Sequence, residues 1–297
     1  MRHRCSLLSV LALLVTSVAP AAPLEFTLQT RAETAPGSAS VVQRKEQWEP
    51  GQTALIICDM WDSHTSLNAY RRGLELAPHL NAFVEKARSA GIFVIHAPSG
   101  CMKFYEGQPG RVLAQSAPKA ANLPEKIGSW CKQIPSEEQA EYPLEQSDSI
   151  DDDPAEHAWW MSELEAKGRN LKAPWTRQTE VIQIRDGDAI SDSGVEIWNL
   201  LEARGIRNVL LVGVHVNMCV SGRPFGLRQM VRNGKNAVLV RDLTDSMYNP
   251  RQRPFVSHFR GTALYIEYLE KYIAPTITSD QLLGGAPFRF SGELAAR

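Results

Sequence analysis

The chain has 297 residues, with 32 Lys and Arg against 33 Asp and Glu and a formal net charge of −1. Its 43% hydrophobic and 22% charged content are globular values, which excludes a disordered or collagen-like chain. The balanced charge carries no footprint for nucleic acid or an anionic membrane, and five cysteines are too few for a disulfide scaffold.

Arg2, His3 and Arg4 make a positive start, an apolar run follows to Val18, and Ala19-Pro20-Ala21-Ala22 ends it with small residues. That order is the layout of a cleaved secretory signal over residues 1–22, and the run is too short to span a bilayer comfortably. Cys5 precedes the apolar run, so it does not read as a lipidation site. Cleavage removes Arg2 and Arg4 and no acid, so 30 bases then face 33 acids, a net of −3. It also leaves Cys58, Cys101, Cys131 and Cys219. The expectation is a secreted or periplasmic protein, soluble after cleavage, in a compartment where a disulfide persists.

Residues 23–50 read as a polar, irregular leader. Ala54-Leu55-Ile56-Ile57-Cys58 is a continuous apolar run before Asp59, as in a strand buried on both faces. Leu76, Leu80, Phe83, Val84 and Ala87 recur at helical spacing up to Gly91, and Ile92 to Ile95 is the next strand. Residues 181–184 predict a third strand. Ser193 with Glu196 resembles a capping box before a helix that closes at Gly205. Asn208 to Val214 is a fourth strand, a helix from about Cys219 to Arg232 follows, and Ala237 to Val240 is a fifth. Phe255 to Tyr272 reads as a last long helix, and an extended tail follows Ala274. Alternating strands and helices predict an α/β fold: a three-layer α/β/α, Rossmann-like parallel sheet with helices on both faces.

Residues 100–178 break this rhythm with Pro, Trp and charge. They read as an insertion with helical pieces, for example around Glu156 to Lys167, placed at the sheet edge where open α/β folds bind ligands. The expected organisation is thus one domain, 23–297, with an insertion at about 100–178.

Two reactive groups stand at strand ends: Asp59, and Cys219 in Gly213-Val214-His215-Val216-Asn217-Met218-Cys219-Val220. A thiol at a helix N-terminus is expected to have a lowered pKa, and a neighbouring carboxylate suits a general base. A buried structural cysteine is the competing reading. The two segments together resemble the isochorismatase-like cysteine hydrolase superfamily, which includes nicotinamidases and N-carbamoylsarcosine amidohydrolases. The resemblance covers Thr53 to about Tyr272 outside the insertion.

The resemblance implies the isochorismatase-like hydrolase fold, a nucleophile at Cys219 and an acid/base group at Asp59. It implies a cis peptide at Val214–His215 and oxyanion donors at the backbone N–H groups of His215 and Cys219. The family's catalytic lysine leaves the third strand, where this chain has Arg185. Arg185 supplies positive charge but is a poor proton donor. Trp61 and His64 fall on the family's substrate loop. Asn217 is a candidate to hold the oxyanion loop or contact substrate, and Tyr248 to reach substrate from the fifth strand.

Nicotinamidases bind a metal. Asp62, His64 and His96 are nearby, but no ligand spacing demands an ion, so neither a metal nor an organic cofactor is expected. The cluster Asp148, Asp151, Asp152 and Asp153 reads as a solvated acidic loop rather than a calcium site. Cys101 and Cys131 are either bridged or free, Cys58 is a core thiol and His258 is structural. The expected reaction is cleavage of a small amide or related C–N bond through an acyl-enzyme, on a small-molecule substrate. The alternatives are a catalytically silent binding protein on the same fold and a vinyl-ether hydrolase. A homo-oligomer is implied by resemblance alone.

Overall fold

The computed structural model describes residues 22–35 and 38–295. The expected secretory segment lies, except for Ala22, outside the described residues. Eight strands form one sheet: β1 (Leu24–Ala35), β2 (Ser38–Trp48), β3 (Thr53–Cys58), β4 (Phe93–Ala97), β5 (Ala189–Ile190), β6 (Asn208–Val214), β7 (Asn236–Asp245) and β8 (Thr276–Ile277). Their order is β2-β1-β8-β7-β6-β3-β4-β5. The strands from β3 to β8 pair in parallel, whereas β1 pairs antiparallel with both β2 and β8.

The central strand β3 is buried at every position, as its unbroken apolar run predicts. Alternate residues face opposite layers. Ile56 and Cys58 join one core with Trp198, Leu201, Met230 and Leu269, while Leu55 and Ile57 join the other with Leu76, Leu80, Phe83 and Val84. Each of these large side chains stabilises the sandwich by roughly 1.5–3 kcal/mol. The helices behind them are α1 (Leu67–Ser89), α4 (Gly194–Ala203), α5 (Leu227–Arg232) and α6 (His258–Tyr272). Register sets Cys58 beside Ala97 of β4 and Gly213 of β6, so the C-terminal ends of all three strands meet at one edge. Gly213 has φ +100°, and a Cβ there would lie 2.1 Å from the Cys58 carbonyl oxygen. Only glycine allows β6 to approach β3 this closely.

Several local expectations are corrected. Residues 23–50 are not an irregular leader: most of them form the β1–β2 hairpin, with ten residue pairs in continuous register and an eleventh, Ala35–Ser38, beyond a register shift. Leu24, Phe26 and Leu28 alternate at strand spacing, and Phe26 packs edge-on against Trp48 at 5.2 Å. Residues 181–184 are not a strand. Ile182 closes a turn onto Thr179, and the strand that pairs with β4 is the two-residue β5, after Gly187 at φ +91°. The expected helix from Cys219 to Arg232 is split into a π-helical turn, Val216–Val220, and α5. Pro224 has no N–H and disfavours helical geometry at Arg223. The last helix begins at His258 rather than Phe255, capped by the Ser257 side chain. The tail carries β8, α7 (Asp280–Leu283) and α8 (Ser291–Ala295).

The stretch 100–178 contains α2 (Pro109–Gln115) and α3 (Pro154–Ala166). It is fastened by charge. Glu137 accepts Arg228 Nε and Nη2, one edge of the guanidinium, at 2.7 Å each, along with the Tyr268 hydroxyl and the Ile134 N–H. The acidic cluster is not a solvated loop. Asp152 accepts from Ser66 Oγ and from the Leu67 and Asn68 N–H groups at the start of α1, and Asp153 caps α3. Asp151 pairs with Arg72, which also binds Asp245 at the end of β7. Cys101 and Cys131 are free thiols in separate apolar clusters. Among the described residues no helix is long and apolar enough to cross a membrane.

The Arg228–Glu137 pair is almost fully enclosed, with side chains 5% and 1% exposed. Removing one partner strands a buried charge. Arg228→Ala is expected to cost about 3–5 kcal/mol in chemical denaturation, whereas the double change Arg228→Met with Glu137→Leu costs clearly less. Equal losses for both would mean that the pairing itself is not what matters.

Candidate active site

Asp59 follows β3 with φ +49°, a left-handed conformation that Asp tolerates better than most residues. It is fully buried. Its Oδ1 accepts the Ser99 N–H at 2.8 Å, from the loop after β4. Its Oδ2 accepts Arg223 Nε and Nη2, each at 3.0 Å. The Cys219 thiol, on the π-helical turn after β6, lies beside this carboxylate and feels its charge. The Arg223 N–H donates to the Cys219 carbonyl at 2.9 Å, so one helical turn puts the thiol and the cation on the same side.

Burial raises the Cys219 thiol well above its ordinary value, the Asp59 carboxylate adds to the rise, and Arg223 opposes it. This corrects the expectation of a lowered thiol pKa. The turn is only five residues long, and desolvation beside a carboxylate outweighs its dipole. Burial raises the Asp59 carboxyl too, again opposed by Arg223. Burial thus favours the neutral thiol at Cys219 and leaves Asp59 more basic than a surface aspartate.

The Val214–His215 peptide is cis. The His215 carbonyl accepts from the Met218 and Val220 N–H groups, which closes the turn that carries Cys219. Asn217 does not face a ligand. Its amide donates to the Met247 carbonyl and accepts the Met247 N–H, both at 2.8 Å, which locks the turn to the loop after β7. Tyr248 is fully buried against Gly261, and its hydroxyl donates to the Gln252 carbonyl, so it is a core residue rather than a substrate contact.

Trp61 and His64 line a cavity of about 20 Å³ next to Asp59, together with Ser63, Tyr70 and His215. That is room for about one water. Trp61 stacks on Trp175 with ring centroids 4.0 Å apart, and its Nε1 donates to the Ser99 carbonyl. His64 accepts the Ser66 N–H on Nδ1 and packs edge-on against His215 at 5.0 Å. Burial lowers His64 to about 4 and His215 well below the ordinary histidine value, so both rings are neutral at pH 7. Asp62, His64 and His96 do not converge. Asp62 holds Thr176 and Arg169, and His96 lies between Gln178 and Asp188. Among the described residues no three His, Cys, Asp or Glu side chains gather as metal ligands.

Arg185 is not at the site. Its side chain is 55% exposed and reaches Glu85 of α1 at 3.5 Å. It precedes β5, whereas Asp59 follows the C-terminal end of β3, so the turn closed on Asp188 leaves it at the wrong end of the sheet. The cation on Asp59 is Arg223, which the sequence reading passed over. Its signal was the spacing of four residues after Cys219 on a predicted helix.

The Isochorismatase domain model matches residues 53–279. This chain belongs to the isochorismatase family. Solved structures with a similar fold include a cysteine hydrolase from Pseudomonas syringae pv. phaseolicola, 14% identical with a TM-score of 0.47, covering 79% of this chain and 92% of that one. An N-carbamoylsarcosine amidase from Thermoplasma acidophilum is 15% identical with a TM-score of 0.41, covering 77% and 97%. An isochorismatase family protein from Burkholderia thailandensis is 14% identical with a TM-score of 0.42, covering 78% and 94%. No curated protein sequence matches. In this isochorismatase-family chain the β1–β2 hairpin precedes the matched span, and the stretch 100–178 falls within it.

The electrostatics give a signed expectation. Iodoacetamide labelling of Cys219, read on its peptide by mass spectrometry, keeps accelerating with pH beyond the range of an ordinary thiol. Arg223→Gln moves that profile further up and slows labelling at pH 8 by about tenfold, the equivalent of one pKa unit. An unshifted profile in Arg223→Gln would remove the guanidinium from the electrostatics of the Cys219 thiol.

Proposed function

We propose that this isochorismatase-family hydrolase cleaves a small amide, or a related C–N bond, through an acyl-enzyme on Cys219. The observation that carries the reading is the Cys219 thiol beside the buried Asp59 carboxylate, whose Oδ1 accepts the Ser99 N–H and whose Oδ2 accepts Arg223. As the sulfur attacks the substrate carbonyl, Asp59 takes the thiol proton. The tetrahedral oxyanion is met by the backbone N–H groups of Cys219 and of His215. Each such donor is worth about 10²–10³ in rate. The C–N bond breaks as Asp59 returns its proton to the leaving nitrogen. Asp59 then deprotonates a water, which attacks the thioester, and the acid product and thiol are released.

Arg223 stays protonated throughout, so it offsets negative charge rather than moving a proton. The catalytically silent binding protein is the second reading, because no lysine stands at the family's position; the Arg223 cation on Asp59 favours the hydrolase. We also propose that the chain is exported and cleaved after Ala22, on the order of charged, apolar and small residues at its start.

The test is a screen of small amides and carbamoyl compounds for ammonia or amine release by the full chain. Cys219→Ala is expected to lower turnover by at least about 10³-fold, and an acyl adduct on Cys219 is expected in rapidly quenched intact-mass spectra. Turnover that survives Cys219→Ala overturns the nucleophile. For export, the amino terminus of protein recovered from the producing cells should begin at Pro23, and an unprocessed start defeats that proposal.

A further inference from the structure

Arg223 reaches Asp59 from a short turn, and something must hold a long, flexible side chain there. The contact comes from the stretch 100–178. The indole of Trp130 covers the guanidinium, with the Arg223 carbon 4.9 Å from the ring centroid, a cation–π distance. The same ring lies on Gly222. A Cβ at that position would meet two Trp130 ring carbons at 2.7 Å. The next residue fixes the segment, since the Cys131 N–H donates to the Gly222 carbonyl at 2.9 Å. Gln229 of α5 donates to the Lys126 and Ser129 carbonyls at 2.7 Å each. Trp130 itself is 45% exposed, so it is not there to fill a core. Its inner face leaves the Arg223 side chain only 22% exposed.

We infer that Trp130 is a positioning residue that clamps Arg223 onto Asp59, so that docking of the 126–131 segment on the nucleophile turn completes the site. The titratable groups facing the guanidinium are Asp59 and Cys58 from the β3 end and Cys219 from the turn. With the indole in place, the guanidinium is shielded from water on one face and has few rotamers besides the one that meets Asp59. Without it, the side chain hydrates and leaves. The inference rests on Cys219 being the nucleophile of the proposed reaction, but its test does not need a known substrate.

The test is the pH profile of Cys219 labelling by iodoacetamide in Trp130→Ala, Trp130→Phe and Gly222→Ala, each also made with Arg223→Gln. Trp130→Ala and Gly222→Ala are expected to move the profile upward and slow labelling at pH 8 by three- to tenfold. Trp130→Phe, which keeps a ring face, recovers most of the rate. In the Arg223→Gln background all three changes have no further effect. A purely structural role would lower the melting temperature while leaving the profile in place. An unmoved profile in Trp130→Ala, or an equal shift with and without Arg223, overturns the inference. Failure of the amide screen would count against the proposed reaction and leave the clamp standing.

Discussion

The site depends on keeping one carboxylate charged inside the protein. An isolated carboxylate cannot be taken out of water without losing several kcal/mol or its charge. Asp59 escapes this only because groups from two chain segments converge on it: the Ser99 N–H from the loop after β4, and the Arg223 guanidinium with the Cys219 thiol from the turn after β6. The parallel register of β3, β4 and β6 brings those segments to one edge. Burial makes Asp59 a stronger base than a surface aspartate, and Arg223 limits that gain, so the same contacts that hold the residue also set its chemistry.

Around this centre the molecule uses charge to fasten irregular chain. A stretch with little regular structure has few backbone hydrogen bonds of its own and must borrow partners. Asp62 fixes Thr176 and so brings Trp175 onto Trp61. Glu137 and Arg228 anchor the middle of the stretch to α5. Asp151 and Asp152 join it to α1, and through Arg72 to the end of β7. Residues that look dispensable one by one in a polar sequence thus carry the walls of the site.

What was legible in the sequence follows from the range of each signal. A run such as Leu55 to Cys58 can satisfy its burial only as a central strand, so β3 and β6 were readable. The Leu24, Phe26 and Leu28 alternation was equally present, but the surrounding polar residues hid the hairpin. Residues 181–184 have the composition of a strand, yet the pairing position beside β4 is taken by Ala189 and Ile190 after the turn at Gly187. Tyr248 and Asn217 were correctly placed near the edge. Their polar atoms are committed to backbone partners, and this cannot be known without coordinates.

The sequence by itself determined the two reactive ends, Asp59 and Cys219, and the family to which they belong. Both lie where a local apolar strand stops, so neighbours along the chain suffice to place them. Only the tertiary structure decided between Arg185 and Arg223. The two side chains are chemically identical, and what separates them is which end of the sheet each reaches and whether an indole covers it. The proton state of the thiol was decided there too, because it sums burial, a carboxylate and a guanidinium that come from different parts of the chain.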